Sequence, residues 1–225
     1  MKRIAAAILA VLLILSASAC KNNNGTEPND DPAINGALEN DPEDTFDPAD
    51  APDIGSLIQF GGIQWIVLEV QGNMALILSE EILSLRSYHS REGNEYWDIT
   101  REGIGYHQRP VNWERSEMRQ YLNGEFYNSV FSSDEKRRIA DTDIISIDNT
   151  DKLFLLTESE AFLYFFDLES RIAYMEDGTA SWWWLRSLDY NSIAPGVCDI
   201  GNVYIYGGDV FDDIGGVRPA LWLRL

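Results

Sequence analysis

Only two cysteines stand in the chain, and the first of them, Cys20, closes an export leader. Met1-Lys2-Arg3 gives a basic start, Ile4 to Leu15 is an unbroken apolar run, and Ser16-Ala17-Ser18-Ala19 are small. These are the three parts of a secretory signal. An exported domain so poor in cysteine lacks the disulfide framework that small secreted domains rely on. It has to stand on a hydrophobic core. The apolar run falls short of the about 20 residues a membrane-crossing helix needs, and no later stretch approaches that length.

A cysteine directly after the small residues makes the leader resemble a bacterial lipoprotein signal, with Ala17 where that family usually has Leu. The resemblance implies cleavage before Cys20 and a thiol carrying lipid. A diacylglyceryl group plus an amide-linked chain such as palmitate supplies the two anchors that stable attachment requires. The chain is then extracytoplasmic, held on the outer face of the bacterial cell membrane, with the bilayer as a partner. Cys198 is left without a partner, and its apolar setting, Gly196 to Ile200, reads as a packed thiol more than a nucleophile. The alternative is ordinary cleavage after Ala19 with no lipid.

The formal net charge of −20 sets 37 acidic residues against 17 basic ones. Such a chain repels nucleic acid, which is excluded as a partner. Residues 20–53 hold five of the eight prolines, and their ten acidic residues face a single base, Lys21. With so little to bury, ordering entropy goes uncompensated, and the segment reads as a disordered acidic spacer. Residues 54–225 carry all seven tryptophans and read as one domain.

The domain opens on a β-rich stretch, Leu57 to Val70, bent at Gly61-Gly62, and returns as Met74 to Leu78 after a turn at Gln71-Gly72-Asn73. Ser87 to Pro110 is polar and aromatic and reads as a long loop. Ser116 caps a helix that Asn123-Gly124 would end. Ser132 with Glu135, and Thr157 with Glu160, have capping-box spacing, the second opening a helix to about Phe166. Ile144 to Ile147, Leu153 to Leu156, Ser181 to Ser187, and a hairpin of Val197–Ile200 and Val203–Tyr206 turning at Gly201-Asn202 read as strands. Val217 to Leu223 closes the chain, with Pro219 marking an edge or a strand start. The fold class is α+β: a mixed, mostly antiparallel sheet with two or three short helices.

Five pieces in this order resemble the bacterial module known as domain of unknown function 6273. They are Phe60 to Leu68, Trp113 to Asn123, Lys152 to Ala161, Trp183 to Ser187 and Val217 to Leu223, spanning about Leu57 to Leu225. Members of that family commonly sit in secreted or lipid-anchored proteins, and the resemblance carries no activity. A looser similarity is to the C-type-lectin-like fold in its sulfatase-modifying-factor variety, which implies adjacent first and last strands. Fold does not give function.

The sulfatase-modifying oxidases depend on a cysteine pair that Cys198 alone cannot supply. His89 and His107 are too few for zinc or iron. Asp141, Asp143, Asp148 and Asp151 cluster as candidate calcium ligands without matching a known calcium loop, and a solvated edge is the competing reading. No cofactor is implied. Trp182, Trp183 and Trp184 alternate faces in a strand, so Trp183 opposes the other two. Trp182 and Trp184 are either core or an aromatic platform. Arg86, Arg186 and Arg218 read as structural brackets that pin loops to the sheet.

Two functions follow from these features. The first is a tethered binding module that presents Tyr88, Tyr96, Trp97 and Tyr106, with Trp182 and Trp184, to a glycan, peptide or protein ligand. The rivals are an extracytoplasmic carboxylate-based hydrolase and an envelope structural protein.

Overall fold

The computed structural model describes residues 47–92, 111–144, 150–186 and 193–225, and by backbone alone 95–100 and 103–108. Cys20 and Asp148 lie outside the described residues. A short 3-10 turn at Pro48–Asp50 stands where the acidic spacer was expected.

Gly61 and Gly62 both have positive φ, 60° and 71°. They fold the opening stretch into a tight hairpin of β1 (Leu57–Phe60) and β2 (Ile63–Gln71) instead of merely bending it. Gly72, at φ 57°, turns β2 into β3 (Met74–Ser79). After β4 (Ser84–Leu85) the expected long loop contains a second hairpin, β5 (Glu95–Thr100) paired along its length with β6 (Gly103–Gln108). Tyr96, Trp97, Ile99 and Thr100 are strand-favouring residues that outweigh the polar setting.

Ser116 caps α1 (Glu117–Tyr121), its hydroxyl accepting from the Arg119 amide. The helix does not end at Asn123-Gly124. It widens into a π-helical stretch, Leu122–Phe126, and continues as α2 (Tyr127–Val130). Asn123 explains the widening: its Oδ1 accepts from the Lys152 and Leu153 amides at 2.7 and 3.1 Å, and its Nδ2 donates to the Arg119 carbonyl. Both expected capping boxes form, Ser132–Glu135 at α3 (Ser133–Arg138) and Thr157–Glu160 at α4 (Glu158–Tyr164). Between them lie β7 (Thr142–Asp143) and β8 (Thr150–Asp151), and the expected strand at Leu153–Leu156 is reduced to one bridge, Phe154 to Ala220. A further short helix, α5 (Leu168–Arg171), carries a buried arginine whose Nε and Nη1 donate to the Gly201 and Phe165 carbonyls.

The tryptophan run is split between β10 (Ala180–Ser181), which pairs with β9 (Ala173–Tyr174), and β11 (Trp183–Trp184). The late hairpin joins β12 (Ile193–Val197) to β13 (Val203–Asp209) through the longer turn Cys198–Asn202, with Gly201 at φ 82°. The closing run is also two strands, β14 (Gly216–Val217) and β15 (Ala220–Arg224). Arg218-Pro219 between them carries the chain from one sheet to the other.

Two principal sheets result. One has the order β1-β2-β3-β15 and the other β13-β12-β11-β14-β4, with β11–β14 parallel and every other described pairing antiparallel. The first and last strands share a sheet, but β15 pairs with β3, and β1 stands at the far edge. The reason is in β3, whose Leu76, Ile77 and Leu78 are all buried and need strands on both sides. The core holds four fully buried tryptophans, Trp65, Trp113, Trp183 and Trp184. Each indole N–H has an acceptor, in order the Phe60 carbonyl, the Asp151 carboxylate, the Arg171 carbonyl and the Arg86 carbonyl, at 2.7 to 3.1 Å.

Candidate functional site

A groove of about 420 Å³ opens on the β11–β12–β13 side of the second sheet. Its space comes from glycine. Gly196 on β12 and Gly207 and Gly208 on β13 line it without side chains. A Cβ added at Gly208 would come within 3.4 Å of both Trp182 and Trp184 and 3.5 Å of the Asp212 carboxylate. Pro195, which lacks an amide hydrogen, marks the bulge where β12 and β13 slip register, and Gly207 takes up the kink at φ 51°.

Trp182 forms one wall. It is half-buried and meets Trp184 edge-on at 4.5 Å between ring centroids, so its orientation is fixed by the core behind it. Tyr204, 56 % exposed, also stands on the lining, from β13. Asp199 and Asp212 bring two exposed carboxylates, Cys198 a half-buried free thiol, and among the described residues none on the lining is basic. The groove is therefore aromatic and negative. It suits neutral or cationic groups with a flat apolar face and disfavours anions.

The other expected binding residues are placed differently. Tyr88 is fully buried, packing edge-on to Trp184 at 5.6 Å and against Trp113 at 6.3 Å. Trp184 is likewise core, held by its bond to the Arg86 carbonyl. Neither offers a face to a ligand, since both are fully buried and the segment that carries Tyr88 is held down at both ends: the Arg86 amide bonds Gly215 and the His89 amide bonds Val210. Trp97 and Tyr106 are directly opposed in the β5–β6 hairpin, and Tyr96 is opposite His107. Of the expected binding residues whose side chains are described, Tyr88, Trp182 and Trp184, it is Trp182 that joins the groove.

The three arginines do different work. Arg86 lies over the Tyr121 ring at 3.6 Å. Arg218 is buried, donating to the Ser79 and Glu80 carbonyls at 2.8 and 3.1 Å, and burial pulls its guanidinium down to about 10. Arg186 is buried beside Glu160, with burial lowering its pKa against the pull of that carboxylate.

The described candidate calcium ligands, Asp141, Asp143 and Asp151, form no metal-holding group. Asp151 is buried under Trp113 and Arg119, while Asp141 pairs with Lys152 at 2.8 Å. Among the described residues no group of three His, Cys, Asp or Glu side chains is arranged to hold a metal ion. The strand expected to end at Tyr206 runs on to Asp209, and the glycine pair 207–208 that it thereby contains is a signal of close backbone approach that the expectation missed. Nothing in the spacing tied it to Trp182 and Tyr204.

The chain matches the family described as domain of unknown function (DUF6273) over residues 72–225. It belongs to that family. The DUF6273 region contains every described groove residue and begins after β1 and all of β2, which nonetheless complete its first sheet. No curated protein and no solved structure matches the chain.

Proposed function

We propose that this chain is an extracytoplasmic lipoprotein, anchored through Cys20, whose DUF6273 domain binds a glycan in the groove that Trp182 and Tyr204 line. The observation that carries the reading is the pairing of two aromatic side chains with a glycine-cleared floor and two acceptor carboxylates, Asp199 and Asp212. Sugar rings present apolar faces that stack on such aromatics, and their hydroxyls donate to carboxylates. Among the described residues no helix is long and apolar enough to cross a membrane, and the anchor in this reading is the acyl chain.

A glycan array probed with the full-length chain tests the reading, followed by titration of the hits. Trp182→Ala and Tyr204→Ala should each weaken binding about tenfold, or 1.4 kcal/mol. Silence across the array, or hits indifferent to both substitutions, overturns it. Cys20→Ser should abolish incorporation of labelled palmitate and release the chain from the membrane fraction. Because Asp199 and Asp212 share one groove, a hydrolase is the second reading. Release of shorter products from a bound glycan, lost in Asp212→Asn, would favour it.

A further inference from the structure

A second cavity, about 180 Å³, lies away from the groove, between α4, β7 and the outer side of the first sheet. Arg186 lines it with 7 % of its side chain exposed. Its Nη2 reaches Glu160 Oε2 only at 3.4 Å, and its Nε and Nη1 are buried without an acceptor. That Glu160 oxygen is already engaged by the Thr157 amide at 2.7 Å and the Thr157 hydroxyl at 3.0 Å. The capping box, not the arginine, fixes the carboxylate. Thr142 Oγ1 on β7 is a second buried polar atom without a partner, and it lines the same cavity. Native interiors rarely leave such groups empty, and here the two residues that carry them line one space.

The charges sort by depth. Among the described residues Arg186 is the only basic one on the lining. Glu160, with 30 % of its side chain exposed, and the exposed Asp143 lie nearer solvent. A pure anion would be repelled by the two carboxylates, and a pure cation by the arginine. Phe154, whose ring centroid is 5.4 Å from the Arg186 guanidinium carbon, and Trp222 give the walls an apolar face. The volume has room for about six non-hydrogen groups at the space a water occupies.

We propose that this cavity binds a small free α-amino acid as its zwitterion, of the size of glycine, alanine or serine. The carboxylate accepts from Arg186 and from the Thr142 hydroxyl. The ammonium donates to Glu160 and Asp143. A small side chain rests against Phe154 and Trp222. The site shares no lining residue with the glycan groove, so the two readings stand or fall separately.

Calorimetric titration of the full-length chain tests it. The probes are glycine, L-alanine, D-alanine and L-serine, with acetate, ethylamine and N-acetylalanine as controls that each lack one half of the zwitterion. At least one amino acid should bind saturably, and every control at least tenfold more weakly. Arg186→Gln should abolish binding. Thr142→Val keeps the side-chain shape and removes a hydroxyl with no partner in the protein, so it should fold normally and still weaken binding at least threefold. No heat from any of the four amino acids into the millimolar range overturns the proposal. So does acetate binding equally well, or a folded Thr142→Val protein with unchanged affinity. A crystal soaked in the four amino acids that shows only ordered water on Arg186 overturns it too.

Discussion

The Arg218 guanidinium lies over the indole of Trp183, 5.1 Å from the ring centroid. Both side chains are buried, Trp183 completely. The contact joins the two principal sheets at a covalent crossing between them, since Arg218-Pro219 links β14 to β15 and Trp183 sits on β11 beside β14. The Arg218 Nε bond to the Ser79 carbonyl fastens the same point to the end of β3. Desolvation of the charge is offset in part by two carbonyl acceptors, by the ring faces of Trp183 and Phe165, and by the attraction of the Glu80 carboxylate.

Arg218→Ala should therefore cost about 3 kcal/mol, through lost packing and two stranded carbonyls. Arg218→Met should recover roughly half of that, because its stem still fills the space and no charge is buried. Urea unfolding of the three proteins checks the order. Equal losses in both variants would mean that the carbonyl bonds, not the packing, dominate.

Asp151 is the second buried charge with a structural task. Its two oxygens accept from Trp113 Nε1 and Arg119 Nε, both at 2.7 Å, tying β8 to α1. Asp151→Asn turns an amide hydrogen toward one of these donors and should cost about 2 to 3 kcal/mol in chemical denaturation. Asp141, whose bridge to Lys152 is largely exposed, provides the contrast. Asp141→Asn should cost under about 1 kcal/mol.

Elements with local signatures were legible from sequence. The three caps at Ser116, Ser132 and Thr157 are written within four residues each, and all three form. The opening strands and the α+β class follow from periodicity and turn glycines. What escaped was set by distant partners. The helix runs through Asn123 because residues 152 and 153 bond its side chain. The Leu153–Leu156 strand finds one bridge instead of a partner strand. The site was half legible. An aromatic run stood out, but which indole faces the groove depends on the contacts that bury Trp184, which no local pattern reveals. Tyr88 reads as a loop aromatic by its neighbours and is core by its contacts.

The two adjacent glycines of β13 should respond oppositely to alanine. At Gly207 a Cβ would stand 1.7 Å from the Ala194 carbonyl oxygen, and the backbone has φ 51°. Gly207→Ala has to break the β12–β13 register, and should lower stability by several kcal/mol or prevent folding. At Gly208 the nearest atoms are 3.4 Å away and belong to ring edges. Gly208→Ala should keep stability within about 1 kcal/mol while filling the groove beside Trp182. Thermal melts paired with glycan titration separate the effects. A stable Gly208→Ala protein that still binds at full affinity would place the ligand elsewhere.

Tyr164 on α4 donates its phenolic hydrogen to Glu69 on β2 at 2.5 Å. Burial first, and then the Glu69 bond, raise the Tyr164 pKa above its ordinary value of 10. The folded protein thus keeps a proton that the unfolded chain releases as pH rises past about 10. Below that point the bond contributes in full, and above it stability falls with each step in pH, because the native state binds more protons than the unfolded one. Tyr164→Phe should lose about 1 kcal/mol near neutrality, the net worth of one such bond at a part-exposed site. It should also lose less than the parent on going to about pH 11, so the two stability curves converge in alkali. Urea midpoints for both proteins at about pH 8 and pH 11 read the difference directly, since every other titrating group is common to the pair. Parallel curves would show that the hydroxyl ionises as freely in the fold as in water.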